Sequence, residues 1–167
     1  VYKRQYLGMK QWAYWEDQLV TTHPIIADVP NTQQAFANFD GITYGKGASV
    51  LKQVAYLLGD DKFQQGVQRY FKEKQFSNAT LADFVKALAT AAGTDLEAWQ
   101  KSWLREKSLN TIRADFACDK GEITRFELVQ EGSDANPVLR KHRTKVGLLY
   151  LGKGQREVRH RADVTYS

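Results

Sequence analysis

Cysteine occurs once in this chain, at Cys118, which excludes an internal disulfide and a cysteine-built metal site. A lone cysteine suits a reducing compartment such as the cytoplasm. Histidine is nearly as scarce: His23, His142 and His160 are the full set. No two of them stand at the i, i+4 spacing that would put both imidazoles on one helix face toward one ion. His23 precedes Pro24, which breaks a helix, and His142 and His160 lie among basic residues, a poor setting for a dication. All three read as surface or strand histidines, and no metal ligand is expected in this chain. Methionine occurs once, at Met9. No apolar run approaches the roughly 18 residues of a membrane span, so none is expected.

A strong charge of one sign is also missing. The net charge of +5 is spread along the chain. One candidate patch stands out, Arg140-Lys141-His142-Arg143-Thr144-Lys145 with Arg156, Arg159 and Arg161. It lacks the aromatic interleaving of a single-strand binder. It reads as solvated strand faces and turns, and nucleic acid is not expected as a partner.

What is present divides by periodicity. Up to about Lys107 the pattern is helical. Met9, Trp12, Ala13 and Leu19 mark a first helix that stops before Pro24, and residues 24–43 read as loop with a short helix around Gln33–Phe39. Ala48, Leu51, Val54, Ala55 and Leu58 form a stripe ended by Gly59. Asp60 or Asp61 then caps a helix striped by Phe63, Val67, Tyr70 and Phe71. Thr80-x-x-Asp83 is a capping-box signal, and Thr94-x-x-Glu97 repeats it before Trp99, Trp103 and Leu104. The large aromatics read as core. After Ser108 the period becomes two, with Phe126, Leu128 and Gln130 alternating against Arg125, Glu127 and Val129, and Cys118-Asp119-Lys120-Gly121 reads as a hairpin turn. The expected fold class is α+β, with the change of period near residues 106–112.

Tyr44 is the candidate site residue. It lies in Phe39-Asp40-Gly41-Ile42-Thr43-Tyr44-Gly45-Lys46-Gly47, just ahead of an apolar helical repeat. Thr43 could cap that helix and place Tyr44 in its first turn. A phenol there can point into a cleft and donate a hydrogen bond to a developing oxyanion. A lone tyrosine near a helix start is ordinarily a packing residue, and that reading stands beside the catalytic one.

The neighbours of Tyr44 extend the pattern. Tyr44-Gly45-Lys46-Gly47-Ala48 is followed by Leu57-Leu58-Gly59-Asp60-Asp61-Lys62-Phe63, and preceded by Asp17-Gln18-Leu19 with Thr22-His23-Pro24-Ile25. Asn78-Ala79-Thr80-Leu81-Ala82-Asp83-Phe84 and Leu96-Glu97-Ala98-Trp99 through Trp103-Leu104 follow in order. Over about residues 10 to 130 this ordered set resembles the aminopeptidase N family of zinc metallopeptidases, of the gluzincin type. The resemblance implies that residues 1–108 are the helical C-terminal lobe of a thermolysin-like catalytic domain and that 109–167 are the truncated start of a β-sandwich domain.

The resemblance also implies an activity, the removal of N-terminal residues from peptide substrates, with Tyr44 matching the tyrosine that bonds to the oxyanion. The zinc cofactor's His-Glu-x-x-His and the Gly-x-Met-Glu-Asn substrate-amine motif are not in this sequence. The family places both upstream of Tyr44, so the zinc ligands are expected in a missing N-terminal part of the same polypeptide, and this piece alone is expected to be inactive. Phe39 falls where some members carry a second tyrosine, and Gly45 departs from a commonly acidic position. Two other readings of the residues remain: a non-catalytic helical interaction module with a β appendage, and a nucleic-acid binder using the basic strands.

Overall fold

The computed structural model describes residues 5–152 and 155–166; the side chains of residues 5, 6, 150–160 and 166 are outside that description. A π-helical turn, Gln5–Met9, leads into α1 (Lys10–Glu16). The first helix ends sooner than the Leu19 stripe suggests. Asp17 leaves the helix, and its carboxylate takes the Thr22 hydroxyl at 2.8 Å, folding the chain back before Pro24. A short α2 (Thr32–Ala37) is capped by Asn31, whose side chain accepts from the Gln34 N–H. A second π-helical turn, Ile42–Lys46, then runs straight into α3 (Gly47–Leu58).

Three more helices follow: α4 (Asp60–Lys74), α5 (Leu81–Ala92) and α6 (Glu97–Leu104). The α5 capping box is present as expected: the Thr80 side chain accepts from the Asp83 N–H while the Asp83 side chain accepts from the Thr80 N–H. Two expected caps are not used. Gly59, at φ +87°, occupies the N-cap of α4, and neither Asp60 nor Asp61 caps it. At α6 the N-cap is Leu96, and Asp95 Oδ1 takes the Glu97 N–H at 2.9 Å in place of Thr94. Asp60 and Asp61, in the first turn of α4, still lie at the positive end of its dipole, which suits them without a direct bond.

The core lies among α3, α5 and α6. Val50 and Val54 meet Val85 and Leu88, and Leu96, Trp99 and Leu104 close the cluster. Partly buried Ile25, Ile26, Phe63 and Val67 pack on its outside. Trp99 satisfies its indole N–H on Gln53 Oε1 at 3.0 Å, as a buried tryptophan requires. Not every expected core aromatic is inside: Trp15 and Phe71 are largely exposed.

The strands form two separate antiparallel hairpins, β1 (Thr111–Asp119) with β2 (Glu122–Glu131), and β3 (His142–Gly152) with β4 (Gln155–Tyr166). Lys120 and Gly121 close the first hairpin, both at positive φ (49° and 85°), the signature of a tight two-residue turn whose twist suits paired strands. The register pairs Phe116 with Phe126. The alternation of Phe126, Leu128 and Gln130 in β2 does not make one buried face along the whole hairpin, because Ile112, Phe116, Ile123 and Phe126 are all exposed. The molecule is α+β, and among the described residues no helix is long and apolar enough to cross a membrane.

The basic cluster corrects the sequence reading. Arg140 is not solvated; it is 3% exposed. Its guanidinium donates to the carbonyls of Ser102 (2.7 Å), Glu106 (3.2 Å) and Lys107 (2.9 Å), where α6 and the segment after it leave carbonyls without helical partners. Arg143 does the same for α3, donating to Leu57 O at 3.2 Å. A planar five-donor fork suits this work, and a cation is favoured at the negative helix end. Arg156, Arg159 and His160 fall among the side chains outside the described residues.

Trp103 joins the same junction. Its indole N–H donates to Lys141 O at 3.3 Å, and its ring meets His142 edge-on with centroids 4.9 Å apart. Burial, reinforced by the nearby Arg140 charge, pushes the His142 imidazole down to about 4 from 6.5. The native protein therefore holds His142 neutral where the unfolded chain takes up a proton, so stability falls as pH drops from about 6.5 toward about 4. A loss of roughly 1–2 kcal/mol by pH 5 is expected from this one group. Urea midpoints at pH 7 and pH 5 measure it, and His142→Phe should flatten the difference.

Candidate functional site

Tyr44 sits in the middle of the π-helical turn, between residues that are buried. Ile42 is 2% exposed and Gly45 is buried, while Tyr44 is 47% exposed. Its ring leans on Phe39, centroids 5.8 Å apart, which in turn touches Phe36. The phenol is held by its backbone and one ring face, is half exposed, and its O–H has no hydrogen-bond partner among the described residues.

Position 45 explains part of that rigidity. A Cβ on Gly45 would lie 2.3 Å from Met9 O and 2.9 Å from Ala13 Cβ. The turn is pressed against the start of α1, and a side chain next to Tyr44 would have to push the two apart. Ser49 Oγ adds a bond to Gly45 O at 2.8 Å.

The N-terminal side of the turn is fixed by Asp40, not by Thr43 as the sequence suggested. Asp40 Oδ1 accepts from the Thr43 N–H at 2.8 Å, and Asp40 O accepts from the Tyr44 N–H at 3.1 Å. Gly41 N–H donates to Glu16 Oε2 at 2.6 Å, and Glu16 Oε1 takes the Trp12 indole N–H at 2.6 Å. His23 enters here too. Its Nε2 is 2.5 Å from Asp40 Oδ2 and its Nδ1 is 2.7 Å from Pro24 O.

The C-terminal side is fixed by a buried ion pair. Lys46 Nζ stands 2.8 Å from Asp17 Oδ2, with side-chain exposures of 11% and 4%. The same ammonium donates to Ser108 O at 3.0 Å, and the Ser108 N–H returns to Asp17 Oδ1 at 3.0 Å. Ser108 takes φ +67° to do this. Burial lowers the Lys46 ammonium below its ordinary value; Asp17 opposes that and Arg140 adds to it. An open cleft of about 290 Å³ has Asp17, Lys46, Gln53, Trp103 and Arg140 in its wall, and Tyr44 is not among its lining residues. The uncommitted phenol and this cleft are therefore separate features of the turn.

The described residues do not fit a zinc ion. No group of three or more His, Cys, Asp or Glu side chains among them is gathered as a metal would need. Both His23 nitrogens face oxygen atoms, and His142 is packed on Trp103. What the arrangement can do chemically is present one hydrogen-bond donor from a locked turn.

The sequence offers Tyr44 as a candidate and holds Asp17, His23, Asp40 and Lys46 in the same motifs without marking their contacts. Asp40 carried a readable signal, since an aspartate three residues ahead of an amide in need of an acceptor is a common N-cap spacing. Nothing local marked the pairing of Asp17 with Lys46.

Breaking that pair should be costly, because removing one partner leaves a buried charge. Lys46→Met is expected to destabilise the protein by roughly 3–5 kcal/mol, and Asp17→Asn/Lys46→Met by less than Lys46→Met alone. Thermal or urea unfolding of the two variants measures this.

The sequence matches known proteins along most of its length. The model of the Peptidase family M1 domain matches residues 2–103. Aminopeptidase N of Streptomyces lividans is 44% identical over 158 residues, covering 90% of this chain and 18% of that protein. Probable aminopeptidase 1 of Saccharolobus solfataricus is 31% identical over 149 residues, 86% of this chain and 19% of that protein. Glutamyl aminopeptidase of Sus scrofa is 35% identical over 100 residues, 60% of this chain and 11% of that protein. The chain thus spans about a fifth or less of the length of the curated relatives it matches. Among solved structures, Legionella pneumophila aminopeptidase A, in complex with aspartic acid, superposes with a TM-score of 0.55 over 78% of this chain and 14% of that one, at 19% identity, a likeness of fold.

Proposed function

The chain belongs to peptidase family M1, and from that premise we propose that it is the oxyanion-binding part of a zinc aminopeptidase that removes N-terminal residues from peptides. The family is in general one of zinc metallopeptidases, and the relatives named above are aminopeptidases. The observation that carries the reading is Tyr44: an uncommitted phenol on a turn fixed at both ends.

In acyl transfer the carbonyl oxygen gains negative charge as the tetrahedral intermediate forms. A donor already aimed at that position needs no reorganisation when the charge appears, and this is the reason a rigid turn serves better than a flexible loop. The Tyr44 O–H donates to that oxygen. Gly45, Lys46 and Asp40 hold the turn, and Phe39 limits the swing of the ring. Zinc would polarise the same carbonyl and activate water; on this reading its ligands and the groups that bind the substrate amine lie in the rest of the polypeptide. Residues 1–108 would complete the catalytic domain, and 109–167 would open a β-sandwich whose other strands lie outside this chain, in keeping with the exposed faces of the first hairpin.

Two outcomes are expected. In the full-length enzyme Tyr44→Phe should keep the fold and the zinc but lower kcat by about 10²–10³, with KM changed much less. A variant that keeps more than about half of the wild-type kcat, where chemistry limits turnover, would make Tyr44 a packing residue. The 167-residue chain by itself should take up no stoichiometric zinc and cleave no aminoacyl anilide. Metal analysis before and after zinc loading checks this, and one tightly held ion per chain would overturn it.

A further inference from the structure

We propose that Asp40, clamped by His23, is the positioning residue for Tyr44, an inference that rests on Tyr44 being the oxyanion donor. Asp40 bonds to the two consecutive amides that set the direction of the Tyr44 side chain: Oδ1 to Thr43 N–H at 2.8 Å, and its carbonyl to Tyr44 N–H at 3.1 Å. An ordinary N-cap stops there, with its second oxygen in water. Here the second oxygen, Oδ2, is 2.5 Å from His23 Nε2, a residue 17 positions earlier in the chain, and the two side chains are only 23% and 20% exposed.

The proton inventory of His23 shows why this contact is more than a cap. A neutral imidazole has one donor and one acceptor. Both His23 nitrogens face oxygens, Asp40 Oδ2 on one side and Pro24 O at 2.7 Å on the other. A neutral ring can donate to one of these oxygens and a protonated ring to both, and the short Nε2–Oδ2 contact holds the second oxygen of Asp40 in place beside the ring.

His23 is itself tied to the core. Pro24 leads into Ile25 and Ile26, which pack on the buried cluster, and the Ile26 N–H donates to Leu104 O at 2.9 Å. The line of reference thus runs from the core through Ile26 and His23 to Asp40, and from Asp40 to the amides of Thr43 and Tyr44. A phenol oxygen lies well out from its own backbone, so a small rotation of the turn moves it by a large fraction of an ångström. Misplacement of a catalytic group by about 1 Å can cost on the order of 10²-fold in rate.

The test is a double-mutant cycle in the full-length, zinc-loaded enzyme, with zinc content and melting temperature confirmed for each variant. Asp40→Ala should lower kcat by about 10-fold or more with KM changed less than about three-fold, because the donor is lost from the transition state and not from substrate binding. In the Tyr44→Phe background the same substitution should cost less than about two-fold further, since no donor remains to misplace. Asp40→Asn should recover kcat to within about three-fold of wild type: the amide oxygen still caps Thr43, and the amide N–H₂ can donate to the neutral form of His23. Should Asp40→Ala not fold, His23→Ala takes its place; it should lower kcat alone and not in the Tyr44→Phe background.

An equal loss in both backgrounds would make Asp40 a purely structural cap and overturn the proposal. So would a kcat within about two-fold of wild type in Asp40→Ala. If Tyr44→Phe itself stays active, the oxyanion reading fails first and this proposal with it, an outcome distinct from a Tyr44-dependent enzyme that ignores Asp40.

Discussion

The buried pair of Asp17 and Lys46 is the contact on which the rest of the structure depends. Burying two charges is expensive, and the expense is offset only when every remaining lone pair and proton finds a partner. Here they do. Asp17 takes the ammonium, the Ser108 amide and the Thr22 hydroxyl; Lys46 also reaches Ser108 O. Four segments therefore meet at one point: the end of α1, the return toward Pro24, the turn that carries Tyr44, and the connection into β1. Because an unpaired charge in this place is so unfavourable, the pair acts less as a source of stability than as a device that permits one arrangement of those segments.

Arg140 extends the same logic into the strands. It caps the carbonyls around the end of α6 and also touches Asn110 Oδ1 at 3.3 Å, so the segment entering β3 is fixed against the segment entering β1. Arg143 caps α3 from the adjacent strand position. Helix ends that would otherwise show bare carbonyls to a buried junction are closed by side chains from the sequence-distant start of β3 and the segment before it. Together with Trp103 and His142 these contacts join two parts of the chain whose periodicities have nothing in common.

The pieces of this fold that were legible in the sequence are those whose cause is local. The α3 stripe ended at Gly59, the Thr80–Asp83 capping box and the turn after Asp119 were all readable, because hydrophobic period, cap and positive-φ turn are set within a few residues. Where a local signal competed with a neighbour, the reading failed: Asp95 supplanted Thr94, and Asp40 supplanted Thr43. The alternation in β2 was visible as a pattern, yet Phe126 is exposed while Leu128, Val129 and Gln130 are half-buried, since strand alternation says which residues share a face and not what lies against it.

The sequence by itself determined the kinds of element, their order, the helix-to-strand change near Ser108 and the candidacy of Tyr44, through periodicity, capping chemistry and the ordered motifs around that tyrosine. Only the tertiary structure decided which charges are buried and with whom. His23 meets Asp40 across 17 residues, Ser108 meets Asp17 across 91, and Arg140 reaches Ser102 across 38. An isolated aspartate, lysine or arginine reads as surface on composition alone, because charged side chains are seldom buried without partners. Those partners come from other segments, and chain folding, not local spacing, brings them within 3 Å or so of one another.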